Sequence, residues 1–469
     1  MKKTKIICSI GPSSAKYETF KQMVLNGMNV ARINFSHATE EEKSNALSLV
    51  KKANQELNSL IAVLFDTKGP DFRTGNMEGD QINLVEGKTI KIIKDDILGT
   101  EEAFTVNYKD ALDSIKVGNE ILLEDGLMRL EVIKKLSNGI ECKIIDGGVL
   151  GSRKSVNVPG VHLKMDFISD QDKEDIIYAC QHDGDFLALS FVSSKQDVLD
   201  AREILKAQGR EDMQIISKVE SHTAIQNIDE IIEASDGVMV ARGDLGVEMP
   251  MNKLPVLQKE IIEKCRKRGR TVIVATEMLA SMYTSSRPTR AEISDVANAV
   301  LDGTDAVMLS GETTIGKHPA DAVKFMAETC EEAENYYDYA HQKSYAKENN
   351  IPSAIAHNVV ESANLLNVKV IIAATTSGYS AKLIGTLKPK SYIIAACPND
   401  KVAKALALNY GVYPVITKHY NTLEELIDYC KKETKEIVPL NKGDIVIITG
   451  GFPKINQVKT TNFLKIDTI

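Results

Sequence analysis

The sequence predicts an α/β fold: a (β/α)8 barrel with an inserted small β-barrel cap domain and a C-terminal α/β domain. Three observations predict it. Short, nearly continuous apolar runs recur through the first two-thirds of the chain, most of them separated by helical patterns. Strands buried on both faces read as such runs, and their alternation with helices calls for a parallel sheet. Polar and charged residues collect at the carboxyl ends of the runs. The alternation also breaks twice, once inside the chain and once near residue 338.

The runs are KIICSI (5–10), NVARINF (29–35), LIAVLFDT (60–67), DFLALSF (185–191), QIISKVE (214–220), GVMVAR (237–242), TVIVAT (271–276) and AVMLS (306–310). Eight such strands fit one closed barrel of the TIM type. Among the helical segments, RAEISDVANAVLDG is the clearest. Ile293, Val296, Ala297, Val300 and Leu301 fall at helical spacing, and Thr289 with Glu292 forms a capping box just after Pro288.

The two breaks define further units. Residues 71–157 hold short strand-like pieces (QINLVEG, KTIKIIK, NEILLEDG, LMRLEVI, IECKII) joined by Gly and Asp turns. Too long for a loop, this stretch reads as an all-β domain inserted at the strand ends, placed to act as a lid. The barrel then comprises 1–70 and 158–338. After the polar segment HQKSYAKENNIP, residues 339–469 read as an α/β unit with strands KVIIAAT, YIIAAC, YPVIT and DIVIITG. The tail FLKIDTI reads as the end of that unit, with no extra domain after it.

Composition narrows the function classes. The formal net charge is −8, with no basic tail, which argues against a nucleic-acid partner. Seven scattered cysteines, without a CxxC pair, fit free thiols in a reducing compartment. The apolar run in MKKTKIICSI is too short for a signal peptide, and no segment approaches a membrane span, so a cytoplasmic location is expected.

The strand ends carry the chemistry. Active sites of such barrels are built from strand ends and the loops after them. Here these ends hold Arg32, Asn34, Ser36 and His37; Asp66, Thr67 and Lys68; Lys218 and Glu220; Arg242 and Asp244; Thr276 and Glu277; Ser310 and Glu312. Glu220 and Asp244 end consecutive strands, so both carboxylates can reach one cation. Mg2+ commonly takes one or two carboxylates and completes its shell with water and substrate oxygens. A pair of solvated acids, or ion pairs with Lys218 and Arg242, is the alternative. The stretch ARGDLGVE (241–248) stops an apolar strand with a charged, glycine-containing turn suited to a metal or an anion. Arg32 fits either a phosphate clamp or an ion pair at the barrel rim. Thr276 and Ser310 could equally be strand-end caps, and His37 a surface residue.

In this order and spacing, ARINFSH, DTKGPDFRTG, SKVE, ARGDLGVE, ATEML, RPTRAEISDVANAV and MLSGET resemble the pyruvate kinases, and the resemblance spans the whole chain. It implies phosphoryl transfer from phosphoenolpyruvate to ADP, giving pyruvate and ATP, the final step of glycolysis. It further implies Mg2+ (or Mn2+) on Glu220 and Asp244, and K+ on Asn34, Ser36, Asp66 and the Thr67 carbonyl. Lys218 would stabilise charge on the moving phosphoryl group. Arg32 and Arg73 would clamp phosphate oxygens, with His37 and Arg73 toward the nucleotide. The backbone of Ala241, Arg242, Gly243 and Asp244, with Thr276, would hold the substrate. Proton delivery would involve Thr276 through a water relay to Ser310 and Glu312. The family is commonly a homotetramer under allosteric control. Its effector loop matches Thr375, Thr376, Ser377, Gly378 and Ser380, a hydroxyl-rich turn before a helix that suits a phosphate. Lys454 and Lys459 in a later loop suit a sugar phosphate or a nucleoside monophosphate.

Several positions depart from the family pattern. Glu277 replaces a usual Gln, Asp71 stands where many members have Glu, and Asp166 and Gln171 replace a Pro and a Lys. An acid at position 71 favours a K+ requirement, while Gln171 bears on how ADP is held. Two other functions compete. A Mg2+-enolate lyase or aldolase also uses such an acid pair but needs no phosphate cage. A catalytically weak sugar-phosphate sensor need not keep Lys218, Glu220, Asp244 and Thr276 together, and this chain keeps all four.

Overall fold

The protein is described by a computed structural model covering residues 1–161, 163, 165–339, 349–417, 422–451 and 461–469. Eight parallel strands close into a barrel in chain order: Lys5–Ser9, Val30–Asn34, Ala62–Asp66, Phe186–Leu189, Gln214–Val219, Gly237–Ala241, Thr271–Ala275 and Ala306–Leu309. Each expected run supplies one strand, trimmed by a residue or two at one or both ends.

Alternate residues of each strand point inward and fill the barrel. Val30, Leu64, Phe186, Ala188, Ile216, Met239, Ile273 and Met308 form this inner core. The outward residues pack under the surrounding helices in a second, larger core. Helix Arg290–Asp302 shows how local sequence sets an element. The Thr289 hydroxyl accepts from the Glu292 amide, the Glu292 carboxylate accepts from the Thr289 amide, and Gly303 ends the helix at φ 97°. Such a cap contributes about 1 kcal/mol, and a left-handed Gly is the common terminator.

Between the third and fourth barrel strands the chain forms a six-stranded and a two-stranded sheet. They enclose a core of their own, including Ile92, Phe104, Leu130 and Val132. Besides the expected strands, this region holds Ala103–Thr105, Gly148–Gly151 and Val156–Asn157.

The last unit is a five-stranded sheet. Four strands are parallel, and Phe463–Thr468 runs antiparallel at one edge. That edge strand is formed by the tail FLKIDT, at the end of the unit. Ala407 and Leu408 from this unit pack into the inner core at the amino end of the barrel. Around them, Gln214 Nε2 donates to the Ala405 carbonyl at 2.6 Å, and Lys388 Nζ donates to Asp305 Oδ1 at 2.6 Å. The barrel is thus closed below by the last unit, and its polar strand ends face the inserted region above. All seven cysteines are buried and unpaired. Among the described residues no helix is long and apolar enough to cross a membrane.

Candidate active site

The inward register of each strand carries on past the apolar core, and this builds the site. Val30 is followed inward by Arg32 and Asn34, Leu64 by Asp66, Ala188 by Ser190, and Ile216 by Lys218 and Glu220. Period-two alternation therefore delivers charged groups to one place at the barrel mouth. A cleft of about 760 Å³ opens there, between the strand ends and the inserted region. Arg32, Asn34, Ser36, His37, Ser190, Lys218, Glu220 and Asp244 line it from the barrel, and Asp71, Arg73, Asp125 and Asn157 from the other side.

Asp66 is the buried anchor. Its side chain accepts from Arg32 Nε at 2.7 Å and from Ser190 Oγ at 3.2 Å, and lies 3.4 Å from Lys218 Nζ. Burial would raise its pKa, but Lys218 and Arg32 outweigh burial and hold the carboxyl below its usual range. Burial would likewise lower the Lys218 pKa. Asp66 and Glu220 reverse this, so the ammonium stays charged beyond the ordinary lysine range. Arg32 Nη1 also donates to Ser9 Oγ at 2.7 Å. Asn34 and Asp66 are register partners on adjacent strands, with Ser36 and Thr67 in the turns beyond. Four oxygen donors therefore gather at neighbouring strand ends, the chemistry a hard monovalent cation takes.

Glu220 is fully buried, and one oxygen accepts from the Phe191 amide at 2.6 Å. The other, Oε1, lies at ion-pair distance from Lys218 Nζ, 3.0 Å, but has no aligned hydrogen bond. Asp244 borders the same cleft from the end of the next strand. A buried carboxylate oxygen without a hydrogen-bond partner, next to a second carboxylate at an open cleft, fits a divalent cation. Among the described residues no three acids, histidines or cysteines are placed to hold a metal ion together. The protein thus offers two carboxylates, leaving further coordination to water and substrate.

Thr276 and Glu277 both adopt left-handed backbone, with φ 68° and 53°. For β-branched Thr276 this is a strained conformation that needs support. Arg242 supplies it, donating to the Thr276 carbonyl from Nη2 at 2.8 Å and pairing with Asp295 at 2.7 Å. The Arg242 side chain is thus a brace behind the site and does not border the cleft. The Thr276 hydroxyl donates to the Ala275 carbonyl at 2.6 Å and accepts from the Gly243 amide at 2.7 Å. Glu312 is buried, and its oxygens accept from the Leu279 amide at 3.0 Å and the Ser310 amide at 2.8 Å. Ser310 Oγ is buried without a partner. No direct hydrogen bond joins the Thr276, Ser310 and Glu312 side chains, and the first and last bond to backbone.

Toward the inserted region, Arg73 pairs with Asp71 and donates from Nη1 to the Arg153 carbonyl at 2.8 Å. His37 is exposed at the rim. Gln171 Nε2 reaches Asp175 Oδ1 at 3.4 Å.

Two family models match the chain: "Pyruvate kinase, barrel domain" over residues 1–323 and "Pyruvate kinase, alpha/beta domain" over 353–467. The chain belongs to the pyruvate kinase family. A pyruvate kinase of Staphylococcus haemolyticus is 43% identical over 474 residues, covering 100% of this chain and 81% of the relative. One from Geobacillus stearothermophilus is 43% identical over 473 residues, covering 100% and 80%. A crystal structure of a pyruvate kinase from Cryptosporidium parvum superposes with a TM-score of 0.94 at 39% identity, covering 100% of this chain and 96% of that one.

The loop expected to bind the pyruvate kinase effector follows the strand Val370–Ala374. Thr376 and Ser377 are exposed, and Gly378 opens the helix Tyr379–Thr386 at φ 81°. Ser380 is buried, bonded to the Thr461 hydroxyl. Lys454 and Lys459 lie outside the described residues. Ser190 is a site residue that sequence reasoning missed. Its signal was the inward position after Ala188 in DFLALSF, masked because the side chain is small and uncharged.

Proposed function

We propose that this enzyme transfers the phosphoryl group of phosphoenolpyruvate to ADP, giving pyruvate and ATP. One observation carries the reading: a charged Lys218 held between Asp66, Ser190 and Glu220 at the floor of an open cleft. Phosphoryl transfer needs positioning and charge neutralisation more than covalent chemistry. A nucleotide β-phosphate oxygen attacks phosphorus, the bond from phosphorus to the enol oxygen breaks, and the electron pair stays on that oxygen. The Lys218 ammonium stabilises the developing charge. Arg32 and Arg73 clamp phosphate oxygens, Arg being suited to bidentate contact. The turn from Ala241 to Asp244 seats the substrate carboxylate, with Gly243 held by Thr276. The enolate carbon then takes a proton from cleft water on the Thr276 side, while Glu312 braces the Ser310 backbone.

Glu220 and Asp244 would hold Mg2+ or Mn2+, and Asn34, Ser36, Asp66 and Thr67 would hold K+. When bound, these cations offset negative charge on substrate oxygens. The inserted region serves as a lid that closes on ADP, with His37 and Arg73 toward the nucleotide. Thr376, Ser377 and the Gly378 turn would take the phosphate of a sugar-phosphate or nucleotide effector, within a cytoplasmic homotetramer. Family membership leaves the lyase or aldolase alternative without support. The test is pyruvate formation from phosphoenolpyruvate and ADP with Mg2+, in K+ and in tetramethylammonium. Turnover that collapses without K+ supports the full reading. Folded protein that binds sugar phosphates yet shows no turnover would favour the sensor.

A further inference from the structure

Ser190 occupies an unusual junction. It is 3% exposed and directly follows the fourth barrel strand, yet its side chain bonds to groups at the ends of the third and fifth. Its Oγ accepts from Lys218 Nζ at 2.7 Å. Its own proton faces the Thr67 carbonyl at 2.7 Å and Asp66 Oδ1 at 3.2 Å. A serine that merely caps a strand or turn bonds to nearby backbone of its own segment, whereas this one spans three strands and ends on the reactive lysine.

The turn that carries Ser190 is pinned from both sides. The Ser190 amide donates to Thr67 Oγ1 at 3.3 Å. Gly69, at φ 70°, packs so closely that an added Cβ would stand 2.7 Å from the Ser190 carbonyl oxygen. The next residue, Phe191, is held at φ 57°, a left-handed conformation that a bulky side chain rarely adopts. Its amide is aimed at Glu220 Oε2, 2.6 Å away. Backbone strain of this kind persists only where surrounding contacts over-determine it.

We propose that Ser190 is a positioning residue for phosphoryl transfer, its hydroxyl seating the Lys218 ammonium within the cleft. The inference rests on the assignment of Lys218 above. Lys218 has a long, flexible stem, and Asp66 and Glu220 both attract its charge. The hydroxyl fixes where between them the ammonium rests. Its removal leaves both carboxylates and the Phe191 amide in place, so the loss falls on alignment in the transition state and not on metal or substrate binding.

The test is Ser190→Ala, in which the side chain only shrinks. With saturating Mg2+, K+ and ADP, kcat falls at least about tenfold while the phosphoenolpyruvate KM stays within about threefold. Mn2+ affinity without substrate and the melting temperature stay close to wild type. A kcat within about twofold of wild type overturns the inference. So does a kcat loss accompanied by matching losses in Mn2+ affinity and melting temperature, the mark of a general structural lesion. If Ser190→Ala does not fold, Ser190→Cys keeps the size but weakens the acceptor, and its kinetics are judged by the same criteria. Wild-type protein without turnover would instead strike at the assigned reaction itself, so the two failures are distinguishable.

Discussion

Lys218 Nζ stands 3.0 Å from Glu220 Oε1, two positions along the same strand end and on the same inward register. Asp66 lies 3.4 Å from the same nitrogen. Two buried carboxylates keep the ammonium charged, and Arg32 shares the load on Asp66. The site therefore holds a compact cation beside a carboxylate oxygen that lacks a hydrogen bond. That pairing suits a reaction in which negative charge moves between phosphate and enol oxygens.

Glu220 should make metal binding depend on pH near neutrality. Burial raises its carboxyl, Lys218 opposes the rise and Asp244 adds to it, leaving the pKa at about 7. Between its ordinary value of 4.5 and about 7, the folded metal-free protein keeps a proton that the unfolded chain has released. The stability from this difference is present at low pH and lost as pH rises through that window. A divalent cation competes with the same proton. Mn2+ affinity without substrate should therefore climb up to about pH 7 and flatten above it. Calorimetric titration across this range checks it, and an affinity that ignores pH would contradict the assignment.

The K+ site should respond to Asn34. Asp66 is committed to Arg32 and Ser190, so Asn34→Ala is the cleaner variant. Its half-activating K+ concentration should rise about tenfold or more, with little change in melting temperature. Activation curves in KCl at constant ionic strength measure this. An unchanged curve would remove Asn34 from the site.

Thr276 should matter through its hydroxyl more than its shape. Thr276→Val leaves the Gly243 amide without the acceptor now at 2.7 Å. An amide left without its acceptor at this part-buried position costs about 1–2 kcal/mol, so kcat/KM for phosphoenolpyruvate should drop by about fivefold to thirtyfold. Thr276→Ser should recover much of the loss. Equal activity in the valine variant would show that the hydroxyl is dispensable.

The effector loop makes a separable prediction. Thr376→Ala combined with Ser377→Ala changes two exposed side chains remote from the barrel mouth. Basal turnover should be unchanged, while activation by a panel of sugar phosphates and nucleoside monophosphates should weaken or vanish. Full activation in the double variant would place the phosphate elsewhere.

Much of this arrangement was legible in the sequence because a barrel strand has a simple period. Once Ile216 is inward, Lys218 and Glu220 must be, and the same rule places Arg32, Asn34 and Asp66. What could not be read depends on contacts between distant segments. Ser190 shows no charge, and only its neighbours on two other strands reveal its part. The Arg242 side chain is drawn behind the site by Asp295 and the strained Thr276 backbone, two contacts that its place at a strand end does not encode. The closure of the barrel by Ala407 and Leu408 joins regions whose pairing no local pattern encodes.

The most direct measurement is the steady-state rate of pyruvate formation from phosphoenolpyruvate and ADP, with Mg2+ and K+, in wild-type protein and Lys218→Met side by side. The variant should fold and bind Mn2+ as wild type does, yet lose turnover by about a hundredfold or more, the scale set by removing a preorganised charge from a transition state. Comparable turnover in the two proteins would contradict the role assigned to Lys218 and, with it, the reading of the whole site.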